Sequence, residues 1–96
     1  MNIELENGDS HRVEDIWGET YWIDHIEVWF DHVIGVNGDW CTDAVDENGD
    51  YIPMTAEWSY TRKLAIERSL FNFPNIDIQV FSKNERNLLW TIKGVK

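Results

Sequence analysis

The sequence predicts one α+β domain over residues 1–96: an antiparallel meander sheet of about five to six strands with one principal α-helix packed on one face. The pair Asn-Gly, a strong signal for a β-hairpin turn, occurs at residues 7–8, 37–38 and 48–49. Several segments alternate apolar and polar side chains, and one stretch after Pro53 is typical of a helix. The length of 96 residues allows one modest core and not two domains.

The first segment predicts a hairpin. Ile3 and Leu5 alternate with glutamates, Asn7-Gly8 makes the turn, and a return strand runs through Val13 to Trp17.

A long, half-buried strand is predicted from Trp22 to Val36. Its apolar side chains stand at even-numbered positions and therefore lie on one face of the strand. A second set stands at odd-numbered positions and lies on the opposite face. The first set is Ile26, Val28, Phe30, Ile34 and Val36, and the second is His25, Glu27, Trp29 and Asp31. Asn37-Gly38 then leads into a strand over residues 39–45, and Asn48-Gly49 leads into a short return at residues 51–52.

A helix is predicted from Ala56 to Leu70, followed by a closing hairpin. Thr55 is placed to cap the helix, and Pro74 stops it. The buried stripe of the helix is expected to contain Leu64, Ala65, Leu70 and Phe71. The closing hairpin carries alternating Ile76, Ile78 and Val80, a polar loop over residues 82–87, and then Leu88, Trp90 and Ile92.

The charge is divided unequally along the chain. Up to Glu57 there are fifteen carboxylates and one cation, a balance of −14; from Trp58 onward three carboxylates face seven cations, a balance of +4. A field of one sign over half a small domain opposes compaction, so its presence favours a positively charged protein partner. The same field repels phosphate backbones and anionic lipid surfaces, which argues against nucleic acid or a membrane as direct partners.

No metal, cofactor or catalytic residue is predicted. His25 and His32 stand at odd and even positions of the same strand, so they project to opposite faces and cannot bind one metal ion together. When Gly49 is aligned with the glycine of a calcium loop, Ala44 falls where the first carboxylate is required. The carboxylates around Cys41 should raise the pKa of its thiol instead of activating it, and no glycine-rich phosphate loop occurs. We therefore expect a protein that is not an enzyme.

Three further features predict a cytoplasmic protein. Cys41 is the only cysteine and cannot form an internal disulfide. The N-terminus lacks the basic start and apolar run of a secretory signal. No apolar stretch approaches the roughly twenty residues that span a bilayer.

A partner-binding surface is predicted on the polar face of the long strand and its neighbours. Indole rings offer contact area and an attractive face for cations, and carboxylates accept paired hydrogen bonds from arginine. The alternative is that Trp29 packs beneath the helix and its neighbours are ordinary solvated acids. The residues assigned to the surface are Glu27, Trp29, Asp31, Asp39, Trp40 and Asp43.

In composition and layout the chain resembles the small bacterial immunity proteins that neutralise nuclease toxins of the colicin and contact-dependent-inhibition type. No shared motif carries this resemblance, so it transfers no residue roles. It implies a basic toxin domain, often a nuclease, as the partner, and stoichiometric inhibition as the function. Two alternatives stay open: a phage-type anti-defence protein or DNA mimic that blocks a nucleic-acid-binding host protein, and a plain structural or regulatory subunit with its acids scattered over all faces.

Overall fold

A seven-stranded mixed sheet with one helix across one face forms the described part of the chain in the computed structural model, which covers residues 4–5, 11–32 and 38–95. The helix, α1, spans Arg62–Asn72. The strands are β1 (Glu4–Leu5), β2 (Arg12–Glu14), β3 (Thr20–Asp31), β4 (Asp39–Asp46), β5 (Glu57–Ser59), β6 (Asp77–Phe81) and β7 (Leu88–Ile92). The predicted α+β class is confirmed.

The sheet is not purely antiparallel, which corrects the predicted meander. Strands β1 to β5 are neighbours in chain order with antiparallel partners, but β6 lies beside β3 in parallel, with Ile26 opposite Ile78. Helix α1 carries the chain from β5 back across the sheet, so β6 starts from the same end as β3. The closing hairpin is confirmed, since β7 pairs antiparallel with β6.

The hydrophobic core lies between α1 and one face of the sheet. Ile26, Val28 and Phe30 of β3 are buried there, as the alternation predicted. Ile78 and Val80 of β6 continue the same layer. Burying a side chain of this size contributes roughly 1.5–3 kcal/mol, so this row supplies much of the stability. The far end of the predicted long strand, with Ile34 and Val36, lies outside the described residues.

Helix α1 begins at Arg62 and not at Ala56. The Thr61 hydroxyl accepts a hydrogen bond from the Leu64 N–H at 3.1 Å and caps the helix. The predicted cap, Thr55, is buried instead: its hydroxyl donates to the Ile52 carbonyl at 2.8 Å and accepts from the Ala44 N–H at 3.2 Å. Residues Glu57–Ser59, between Thr55 and Thr61, pair with β4 and form strand β5. Sheet pairing therefore overrides the helical tendency of this segment.

The buried residues of α1 are Ala65, which was predicted, and Ser69, which was not. Leu70 is 41% exposed and Phe71 is 86% exposed, because neither lies on the helix face that Ala65 and Ser69, four residues apart, turn towards the sheet. Ser69 remains satisfied in the core by donating to the Ala65 carbonyl at 2.9 Å. The small side chains allow the helix to lie close to the sheet.

The turn at Asn48-Gly49 is confirmed as a hairpin turn. Gly49 has a φ of 86°, and its N–H donates to the Asp46 carbonyl at 3.1 Å. The Asp46 carboxylate accepts from the Asn48 and Asp50 N–H groups at 2.9 and 3.0 Å, so it is engaged within the turn.

The opening hairpin pairs Leu5 with Val13, and its return strand ends at Glu14 and does not continue to Trp17. The turn at residues 7–8 lies outside the described residues, as does Asn37.

Candidate functional site

The face of the sheet opposite α1, which we call the open face, brings together five of the six predicted site residues. Strand register places Glu27 beside Asp43, and Asp31 beside Asp39. Trp29 lies in the same row of β3, opposite Cys41 of β4. The predicted parity of β3 therefore gathers these side chains as expected, although Asp43 is only 8% exposed.

Trp40 does not belong to this group, which corrects the predicted surface. It pairs with Phe30 on the helix side, where the two ring centroids are 5.3 Å apart and Trp40 is 9% exposed. Neighbouring residues of a strand point to opposite faces, so Trp40 cannot share a face with Asp39. Its ring instead lies beneath the guanidinium of Arg62, 5.6 Å from the ring centroid.

The guanidinium of Arg86, from the loop between β6 and β7, lies against the open face. Its Cζ atom is 4.2 Å from the ring centroid of Trp29, 5.7 Å from that of Tyr51 and 5.8 Å from that of Phe81. One terminal nitrogen lies 3.2 Å from Oε1 of Glu27 and also contacts the Tyr51 hydroxyl. A cation over an indole face, hydrogen-bonded to a carboxylate, is a favourable pairing. We call Glu27, Trp29, Tyr51 and Phe81 the arginine cradle.

Glu27 is held in place from two sides. Its Oε1 accepts a hydrogen bond from the Tyr51 hydroxyl at 2.8 Å, and its Oε2 lies 3.1 Å from Nε2 of His25. The other ring nitrogen of His25 lies 2.8 Å from the Asp24 carboxylate. Burial, and the hydrogen bond and charge of Glu27, raise the pKa of Tyr51 to about 12, whereas the charge of Arg86 acts in the opposite direction.

Trp29 is anchored by Asp43. The indole Nε1–H donates to Oδ2 of Asp43 at 2.8 Å, and the Cys41 thiol donates to the same oxygen at 3.4 Å. Burial, followed by the charge of Asp43, raises the pKa of Cys41. The predicted direction is confirmed, but burial is the main cause. The arrangement protects the thiol from ionisation.

Sequence reasoning missed four residues of this face. Tyr51 and Phe81 complete the arginine cradle, and Trp58 of β5, opposite Cys41, adds an indole that is 44% exposed. Arg86 was assigned only to a polar loop. The sequence carries no signal for Arg86, because the positive φ of Glu85 and Arg86 becomes evident only in the structure.

The two sides of the sheet differ in charge. On α1, Arg62, Lys63 and Arg68 outnumber Glu67, whereas Glu27, Asp31, Asp39 and Asp43 lie on the open face. Arg86 reduces this imbalance, since its guanidinium lies 3.2 Å from the Glu27 carboxylate. Four carboxylates of the acidic half thus lie on the open face, the cations of α1 lie on the other side of the sheet, and Arg86 of the basic half lies on the open face.

Neither the described residues nor comparison with known proteins assigns a function to this chain. Over residues 4–5, 11–32 and 38–95, no three His, Cys, Asp or Glu side chains are grouped closely enough to hold a metal ion. Within the same residues, no helix has the length and apolar character needed to cross a membrane. No family model, characterised protein or solved structure matches this chain.

Proposed function

We propose that this chain is a non-catalytic, cytoplasmic binding protein that neutralises a basic toxin domain of the nuclease type. The observation that carries the proposal is the arginine cradle, where aromatic rings and a carboxylate on an acidic face already hold a guanidinium. A nuclease must place cations around its cleft to hold phosphates. A protein that presents carboxylates and indoles complements such a surface in charge and in contact chemistry.

The open face also offers contacts around the cradle. Asp31 and Asp39 lie side by side at one end of the β3–β4 pair. At the β5 edge, Trp58 presents an exposed indole in the same row as Trp29. Large aromatics near the centre of an interface contribute most of its binding energy, and charged groups around them speed association. Asp43 supports this surface from below by holding Trp29.

The hydrogen bonding of the central acids supports an inhibitor over a DNA mimic. A mimic needs its carboxylates displayed to the partner at phosphate-like spacing. Glu27 and Asp43 instead engage Tyr51, Trp29 and Cys41 within the chain. Such an arrangement suits recognition through a few well-placed anchors.

The test is affinity capture from a lysate of the source cell, at low and then high salt, with the wild type and two double variants. E27K/D31K reverses charge on the open face, and E57K/E67K makes the same change at exposed positions on the helix side. We expect the wild type and E57K/E67K to retain one basic nuclease domain, with affinity on the order of nanomolar, and E27K/D31K to lose it. The nuclease should lose activity at one-to-one stoichiometry.

Glu27 is only 15% exposed, so D31K/D39K provides a second variant that leaves its hydrogen bonds intact. Retention of the same protein by all variants, or undiminished activity of the bound nuclease, contradicts the proposal. Several unrelated DNA-binding proteins that are released on adding salt would point to a mimic, because such binding depends on counterion release.

A further inference from the structure

We infer that the arginine cradle is a recognition site for an arginine side chain of the partner, and that Arg86 is an internal occupant which must leave before that side chain enters. This inference rests on the proposed function for the identity of the partner. It adds the chemical group of the partner that is bound, a guanidinium, and the competitor that regulates this binding, Arg86.

The geometry selects a guanidinium over an ammonium. A flat guanidinium stacks on an indole while its edge donates to a carboxylate, and Arg86 does both with Trp29 and Glu27. Lysine carries the same charge on a compact, strongly hydrated head and cannot stack in this way. The Tyr51 hydroxyl fixes Oε1 of Glu27, so the acceptor is oriented before a ligand arrives.

The walls of the cradle belong to the sheet and do not depend on Arg86. Trp29 stands on β3 and is held by Asp43 of β4. Phe81 stands at the end of β6, and Tyr51 is held by a bridge to Val45. The site should therefore persist when Arg86 is removed. The Arg86 side chain is 41% exposed, so it can leave towards solvent.

The turn that delivers Arg86 is strained. Glu85 has a φ of 66° and Arg86 a φ of 50°, a left-handed conformation that side chains other than glycine or asparagine adopt at a cost. The strain of the backbone at Glu85 and Arg86 thus offsets part of the free energy that Arg86 gains by binding in the arginine cradle. An arginine from a partner binds there without this strain. Tethering still gives Arg86 a high effective concentration, which lowers the apparent affinity for an outside ligand.

The experiment titrates isotope-labelled protein with a blocked Gly-Arg-Gly tripeptide and with its Gly-Lys-Gly counterpart, and follows the Trp29 indole N–H by NMR. The variant R86G empties the cradle and relieves the positive φ. The matched control E85G relieves the neighbouring positive φ but keeps Arg86. We expect R86G to bind the arginine peptide about tenfold more tightly than wild type or E85G, since the internal competitor is gone. The lysine peptide should bind R86G about tenfold more weakly than the arginine peptide.

Equal binding by R86G and wild type, equal binding of the two peptides, or an unmoved Trp29 indole signal in R86G would overturn the inference. The dispersion of the spectrum reports folding, and R86Q takes the place of R86G should the glycine variant not fold. The assay contains no toxin, so its failure is separable from failure of the proposed function. A nuclease lost on E27K/D31K substitution without arginine-peptide binding rejects only the inference, whereas peptide binding without a captured nuclease rejects only the toxin partner.

Discussion

Trp29 and Asp43 join two strands through one hydrogen bond, 2.8 Å from the indole Nε1 to the carboxylate Oδ2. Asp43 is 8% exposed, and it lies beneath the surface that would meet a partner. Its part is to set the orientation of an indole that stacks with Arg86 on the other side. Asp43 is therefore a positioning residue of the open face, and Trp29 is the residue that contacts the Arg86 guanidinium.

The substitution W29F should destabilise the protein by about 1–3 kcal/mol, because it leaves a nearly buried carboxylate without its strongest donor. Urea unfolding measures the change. In the control W58F, an exposed indole is replaced, and we expect a change within about 0.5 kcal/mol. Equal effects of the two substitutions would show that the Trp29–Asp43 hydrogen bond contributes nothing to stability.

The raised pKa of Tyr51 should make the free energy of unfolding decrease at high pH. Its pKa is about 12 in the folded protein, against 10.0 ordinarily, so the unfolded chain loses the phenolic proton first. The contribution of Tyr51 is fully present below pH 10 and is lost as the pH rises towards 12. Urea unfolding across this range should show a steeper loss for wild type than for Y51F. Parallel pH profiles would contradict the assignment.

Cys41 should resist alkylation in the folded state. The thiol is 1% exposed and its pKa is raised by burial and by Asp43, so little thiolate is available to react. Iodoacetamide labelling followed by mass spectrometry should be slow in buffer and complete in denaturant. Labelling at the same rate in both conditions would show that the β3–β4 region opens readily.

Alanine substitutions at Gly38 and Gly49 distinguish the cost of a steric clash from the cost of backbone strain. Both have positive φ, 75° for Gly38 and 86° for Gly49, so alanine is strained at either position by about 1–2 kcal/mol. A Cβ at Gly38 would also lie 2.6 Å from the Phe30 ring and 2.7 Å from the Asp31 carbonyl, whereas nothing lies within 4 Å at Gly49. Thermal unfolding should therefore show a greater loss for G38A than for G49A. A loss for G38A no greater than that for G49A would contradict a steric clash of the added Cβ with Phe30 and the Asp31 carbonyl.

Local patterns were enough to predict β3, β4 and the closing hairpin of β6 and β7. The alternation along β3 placed Glu27 and Trp29 on the polar side, and Asn48-Gly49 marked a true turn. The same alternation also separates Trp40 from Asp39, but the charge pattern led us to group them. The alternation of side chains along a strand, and not their proximity in sequence, decides which side chains share a face.

The misplaced features depend on tertiary contacts. The helix start moved from Ala56 to Arg62 because β4 recruits Glu57–Ser59 as an edge strand. The parallel pairing of β6 with β3 joins segments far apart in the chain, and no local period encodes it. The position of Arg86 is likewise set by the sheet on which its loop rests, so composition could place it only in a polar turn.

The parallel pairing of β6 with β3 has a consequence for synthesis of the chain. The edge of β3 beside Ile26 and Val28 stays uncovered until the ribosome has delivered β6, and Phe81 and Arg86 reach the arginine cradle later still. A nascent chain that ends after α1 would expose this strand edge and be prone to aggregate. The sheet of the acidic half therefore keeps part of the β3 edge unpaired until β6 has been added.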